Sequence, residues 1–159
     1  MGQNAKTLYI NTTLDNSNAF QNEFVRNSES LIIHTWCYEI RMMPEIIRKL
    51  TNRNIYVNFK SFSLNGEECF EIVQGWMDGN KEIGAFCHIG LDNEKTARDV
   101  LKMVRIRNEK TKRTKRCVLV SINKSTRFDV FYVPFRKASV PSYYGRNCKW
   151  ILKMRIAKV

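Results

Sequence analysis

The dominant hydrophobic pattern of this chain is alternation, which restricts the fold to one built on a sheet. Successive side chains of a strand point to opposite faces, so a period of two marks a half-buried strand. The pattern is cleanest in Cys148–Ala157, where Trp150, Leu152, Met154 and Ile156 fall on one face. Lys149, Ile151, Lys153 and Arg155 fall on the other, which predicts a solvent face for all four. Thr7–Asn11, Cys117–Asn123 and Arg127–Val133 also read as strands. So does Leu31–Ile40, with Ile32, Trp36, Tyr38 and Ile40 on one face around His34.

Turn chemistry suggests how the strands connect. Asn65-Gly66 and Asp78-Gly79 are strong hairpin signals, because both residue types tolerate positive φ. They separate Asn54–Leu64, Cys69–Met77 and Glu82–Ile89, which together predict an antiparallel meander over 54–89. Helical signals are fewer. Pro44 suits a first helical turn, where its missing N–H costs nothing, and Ile46, Ile47 and Leu50 would bury that short helix. Phe20 and Phe24, four apart, would face the core from another. Asp92 or Asn93 can cap a third, in which Ala97, Val100, Leu101 and Val104 form one buried stripe. The sum is an α+β fold: a mainly antiparallel sheet of about 6–8 strands with two or three helices, in a single domain spanning 1–159.

Charge is distributed unevenly along this domain. Met1–Glu94 carries 8 Lys+Arg against 12 Asp+Glu, whereas Lys95–Val159 carries 19 against 3. The acidic N-terminal part (1–94) thus precedes a strongly basic C-terminal part (95–159). A field of that kind attracts polyanions.

Three basic features coincide in the second part. Lys95, Arg98, Lys102 and Arg105 cluster along one side of the third helix, where like charges repel by a few tenths of a kcal/mol per pair. Lys110, Lys112, Arg113, Lys115 and Arg116 follow in an expected loop with only threonines between them. Lys149, Lys153 and Arg155 lie on the last strand. If all three face one way they make a continuous cationic groove, and each phosphate bound there releases counterions. Aromatic residues interleave with this charge. Phe128, Tyr132 and Trp150 fit core faces, whereas Tyr143 and Tyr144, beside Arg146 in the loop 134–147, are candidates to stack on unpaired bases. Lys112-Arg113-Thr114-Lys115 also fits a short nuclear-import pattern.

Catalytic signatures are missing from the sequence. The only histidines are His34 and His88. There is no phosphate-binding glycine loop and no Gly-x-Ser-x-Gly turn. Glu67, Glu68, Glu71, Asp78 and Glu82, the densest acidic set, would decorate the two hairpin turns. They do not form the carboxylate cluster that a metal-dependent nuclease needs. Five cysteines, Cys37, Cys69, Cys87, Cys117 and Cys148, lie far apart and fit reduced thiols in the cytoplasm or nucleus. No apolar run is long enough to cross a membrane, and no secretory leader is apparent at the N-terminus. Gly2 is followed by Lys6 where a myristoylation motif wants Ser or Thr.

These residues point to a non-enzymatic, nucleic-acid-binding protein, RNA favoured, that contacts phosphates through its basic half and needs no metal, cofactor or small-molecule substrate. Its size, charge and free thiols match the profile of viral accessory proteins. The alternative is a matrix- or coat-type protein that self-associates and uses the same surface on an anionic membrane or a nucleocapsid. A small metal-dependent nuclease is a third reading.

Overall fold

The computed structural model describes residues 6–12, 17–36, 40–59, 64–108, 111–141 and 148–159. Eight strands form one mixed sheet: β1 (Thr7–Thr12), β2 (Ser30–Thr35), β3 (Asn54–Phe59), β4 (Phe86–Leu91), β5 (Thr111–Thr114), β6 (Cys117–Ser121), β7 (Thr126–Pro134) and β8 (Trp150–Lys158). Four α-helices accompany them: α1 (Glu23–Asn27), α2 (Met43–Lys49), α3 (Gly66–Met77) and α4 (Glu94–Arg107). The strand order is β1-β2-β3-β4-β8-β7-β6-β5. The first four strands pair in parallel, and every pairing from β4–β8 onward is antiparallel. The expected mainly antiparallel sheet is therefore corrected to a mixed one.

The expected meander over 54–89 is a β3-α3-β4 crossover. Asn65 does not turn a hairpin; it caps α3. Its side chain accepts from the Glu68 N–H at 2.9 Å, and the Glu68 carboxylate accepts from the Asn65 N–H at 2.9 Å. This reciprocal box satisfies two backbone donors that a helix start leaves orphaned. Cys69–Met77 is accordingly helix, with Cys69, Ile72, Val73 and Trp76 turned to the core. Burial also explains the parallel half. Leu31 to Thr35 of β2 and Cys87 to Leu91 of β4 are buried without a break, the near-continuous burial typical of parallel strands: helices cover one side, and rings of the sheet itself close over His34 and His88 on the other.

Other boundaries shift too. Phe20 and Phe24 belong to different elements: Phe20 sits in a 3₁₀ turn, Ser17–Gln21, and is buried, whereas Phe24 in α1 is 73% exposed. The second strand ends at Thr35, so Trp36 leaves the sheet and donates its indole N–H to Asn11. Tyr38 lies outside the described residues. Thr111–Thr114 is a strand where a loop is expected.

Successive parallel crossovers that advance in one direction put their helices on one side of a sheet. The main core accordingly lies between that side and the helices, and includes Leu31, Ile33, Ile55, Val57, Cys87, Ile89, Leu152 and Met154. Contacts α2–α3 and α3–α4 align the helices side by side. Gly75 permits the first of these: a Cβ there would sit 2.5 Å from the Pro44 carbonyl oxygen. Lys81 reaches across to the end of α2 and donates to the carbonyls of Ile47, Arg48 and Leu50.

On β8 the core face agrees with the sequence expectation, since Leu152, Met154 and Ile156 are buried and Trp150 packs against them. Ile151 departs from it. It is fully buried on the opposite face by a small second cluster with Cys148, Val133, Phe135, Ala138 and Val140. The segment after β7 folds back over that end of the sheet and removes Ile151 from water.

Candidate functional site

The α4 helix begins at an Asn93 cap whose side chain accepts from the Thr96 N–H at 2.9 Å. Thr96, Ala97, Val100, Leu101 and Val104 bury its inner stripe. This geometry turns Lys95, Arg98, Lys102 and Arg105 toward the β5–β6 hairpin. Opposite them stand Arg113 and Lys115, and the space between is a cleft of about 500 Å³. Its floor is apolar, made by Leu101, Val118 and the ring of Tyr132.

Two of the local cations are partly neutralised. Lys95 pairs with Asp99 at 2.6 Å, an exposed contact on the same helix. Arg116 lies 3.6 Å from Glu94, and its guanidinium covers the rings of Tyr132 at 5.6 Å and Trp150 at 5.4 Å. The Tyr132 hydroxyl donates to Glu94 at 3.0 Å. Burial, then that hydrogen bond, raises its pKa, so Tyr132 remains a proton donor. Arg116 is thereby fastened to the end of the sheet. Among the described residues Arg98, Lys102, Arg105, Arg113 and Lys115 have no ion pair.

The expected groove, continuous over helix, hairpin and last strand, is divided between two faces. In register, Arg113 stands opposite Val118 and Lys112 opposite Leu119. Arg113 therefore shares the helix-covered side, and Lys112 shares the other side with Lys153 and Arg155. Arg155 is also committed in part. Its Nε–H donates to Asp129 at 2.8 Å, as does that of Arg127, and the Asp129 carboxylate is fully buried between them. Lys149 is exposed at the β8 entrance, where its backbone N–H donates to Leu91 O. Lys110, Tyr143, Tyr144 and Arg146 lie outside the described residues.

Sequence reading missed three exposed-face aromatics. Tyr56, Phe86 and Phe131 are half-buried on the helix-free side of the sheet. Strand parity contains the signal: Phe86 has the opposite phase to Cys87 and Ile89, and Phe131 the opposite phase to Val130 and Tyr132. The acidic set is also relocated. Glu67, Glu68 and Glu71 ride on α3, and Asp78 is its C-terminal cap; they do not flank hairpin turns. Among the described residues no three His, Cys, Asp or Glu side chains converge to hold a metal ion. The described cysteines, Cys69, Cys87, Cys117 and Cys148, are free thiols, and burial pushes Cys69 up to about 12 and Cys148 to about 11. Thiols raised this far are poor nucleophiles at neutral pH. No helix among the described residues is long and apolar enough to cross a membrane.

Together these features define an α+β protein with a single mixed sheet, helices on one face and a cationic cleft near the sheet edge. Residues 3–93 match the model of a family described as a domain of unknown function, DUF3557, and the chain belongs to that family. The match takes in β1 to β4 and stops at the α4 cap, so the basic helix and the antiparallel strands lie beyond it. No match was found among curated proteins or among solved structures.

Proposed function

We propose that this protein binds nucleic acid, RNA in preference, through phosphate contacts in the cleft between α4 and the β5–β6 hairpin, and that it does so as a non-enzymatic protein of the cytoplasm or nucleus. The observation that carries this reading is convergence. Six cations from two consecutive elements, α4 and the β5–β6 hairpin, line one cleft, and Asp99 is the one carboxylate among its lining residues. Cations packed this way repel one another, and a polyanion relieves the repulsion. Arg98, Lys102 and Arg105 supply one wall and Arg113 and Lys115 the other. Phosphate contacts of this type position a ligand and carry little sequence information.

The test is a salt series with a twelve-nucleotide RNA strand and a variant in which Arg98, Lys102, Arg105 and Arg113 are all changed to Gln. The plot of log affinity against log salt should flatten by about 0.7 for each phosphate that the variant no longer neutralises. Unchanged affinity and slope would remove the cleft from the interface. Anionic vesicles that bind the wild type while RNA does not would replace this reading with a membrane one.

A further inference from the structure

A solvated sheet face ordinarily carries polar residues. The helix-free face here carries rings and cations in adjoining cross-strand rows. The pairing registers place Tyr56, His88, Lys153 and Phe131 side by side in one row across β3, β4, β8 and β7. The next row brings Phe86 beside Arg155. His88, itself buried, stacks on Phe86 with ring centres 4.6 Å apart and meets Tyr56 edge-on at 5.1 Å. Phe86 and Tyr56 also meet edge-on, at 5.4 Å. Arg155 lies over the Phe131 ring at 5.5 Å. It spends its Nε–H on Asp129 and is still half-exposed, so its terminal N–H groups remain for a ligand.

We propose that this face is a second binding surface, which takes single-stranded nucleic acid by stacking unpaired bases on Phe86, Tyr56 and Phe131 while Lys153 and Arg155 hold the phosphates between them. The inference rests on the nucleic-acid reading above and adds the strand form. Tyr56, Phe86 and His88 pack into one cluster on β3 and β4, and Phe131 stands two strand spacings, about 10 Å, away on β7, so the face presents two platforms with Lys153 and Arg155 between them. A single strand supplies both π-faces and charge, which the mixed rows require; a duplex keeps its bases stacked inside. A second copy of this chain fits poorly, because docking the face on itself would bring the central cations together. Lys112 extends the same face to the sheet edge, where Arg113 begins the cleft.

The experiment compares a twelve-nucleotide pyrimidine strand, the same strand with abasic residues, and a twelve-base-pair duplex, each with the wild type and with Phe86→Leu/Phe131→Leu. Leucine keeps the apolar packing and loses the π-face; a thermal melt verifies that the variant is folded. The wild type should favour the natural strand over the abasic one by tenfold or more, as expected of base–aromatic stacking at about 1–3 kcal/mol per base. The leucine variant should abolish that preference and leave abasic binding and the salt slope unchanged. If natural and abasic strands bind the wild type equally, or if the folded variant keeps the preference, the stacking surface is refuted while the phosphate cleft stands. If none of the three ligands binds at physiological salt, both proposals fall.

Discussion

The parallel strands β1 to β4 and the antiparallel strands β5 to β8 share one sheet but solve different problems. In the first group the crossovers carry the helices, strands are buried over long stretches, and residues 1–94 bear a slight acidic excess. In the second, hairpins connect β5 to β6 and β6 to β7, the helix-free face carries Lys153, Arg155 and Lys112, and the charge is strongly basic. The change of pairing direction at β4–β8, the change of sign near Lys95 and the end of the family match at residue 93 almost coincide. Parallel strands need long crossovers that cover the sheet, whereas hairpins leave a face accessible. The cations of both candidate surfaces belong to the second half of the chain, while two of the three rings, Tyr56 and Phe86, stay on the parallel strands β3 and β4.

The comparison breaks if the two groups fold separately. Trp76 of α3 is fully buried and its ring lies 5.8 Å from that of Phe128 on β7, so it joins them. Trp76→Ala should cost about 3–5 kcal/mol and lower one cooperative denaturant transition. Two separated transitions would show that the halves are independent. The buried Asp129 carboxylate is confined to the antiparallel half. Removing both of its partners with Arg127→Ala/Arg155→Ala should destabilise by about 3 kcal/mol, because a charge is left buried without compensation; chemical denaturation at neutral pH measures it.

His88 lies at the seam. Burial first, and then the Lys153 ammonium, lower its pKa to about 3, so the imidazole is neutral in the fold. A depressed histidine contributes its full stability above the unfolded value near 6.5 and loses it as pH falls toward 3. Between pH 7.5 and 5 that loss should reach about 2 kcal/mol, and His88→Phe should remove it from the pH dependence of unfolding. The smallest effect belongs to the parallel half: Asn65→Ala should cost about 1 kcal/mol through the lost cap, read as a shifted denaturation midpoint, with RNA affinity unaltered.

The Asn65 region also shows where sequence reading failed. Asn before Gly serves a hairpin and a helix cap alike, and the arbiter is Glu68, three residues on, which completes the box. Local reading succeeded for α4, whose stripe Ala97, Val100, Leu101 and Val104 is buried as its spacing implies. It failed for Ile151, since parity along β8 cannot reveal that residues 135–140 fold back over it.

By itself the sequence determined the strand-rich α+β character, the α4 stripe, the core face of β8 and the concentration of cations after Lys95. These are properties of spacing and composition, set within a few residues of each position. Tertiary structure alone decided that β1 to β4 run parallel, that Lys153 and Arg155 face away from Arg98 and Arg113, and that Tyr56, Phe86 and Phe131 share a surface. Each depends on which strands become neighbours, a choice made by long-range burial between segments that no local pattern connects.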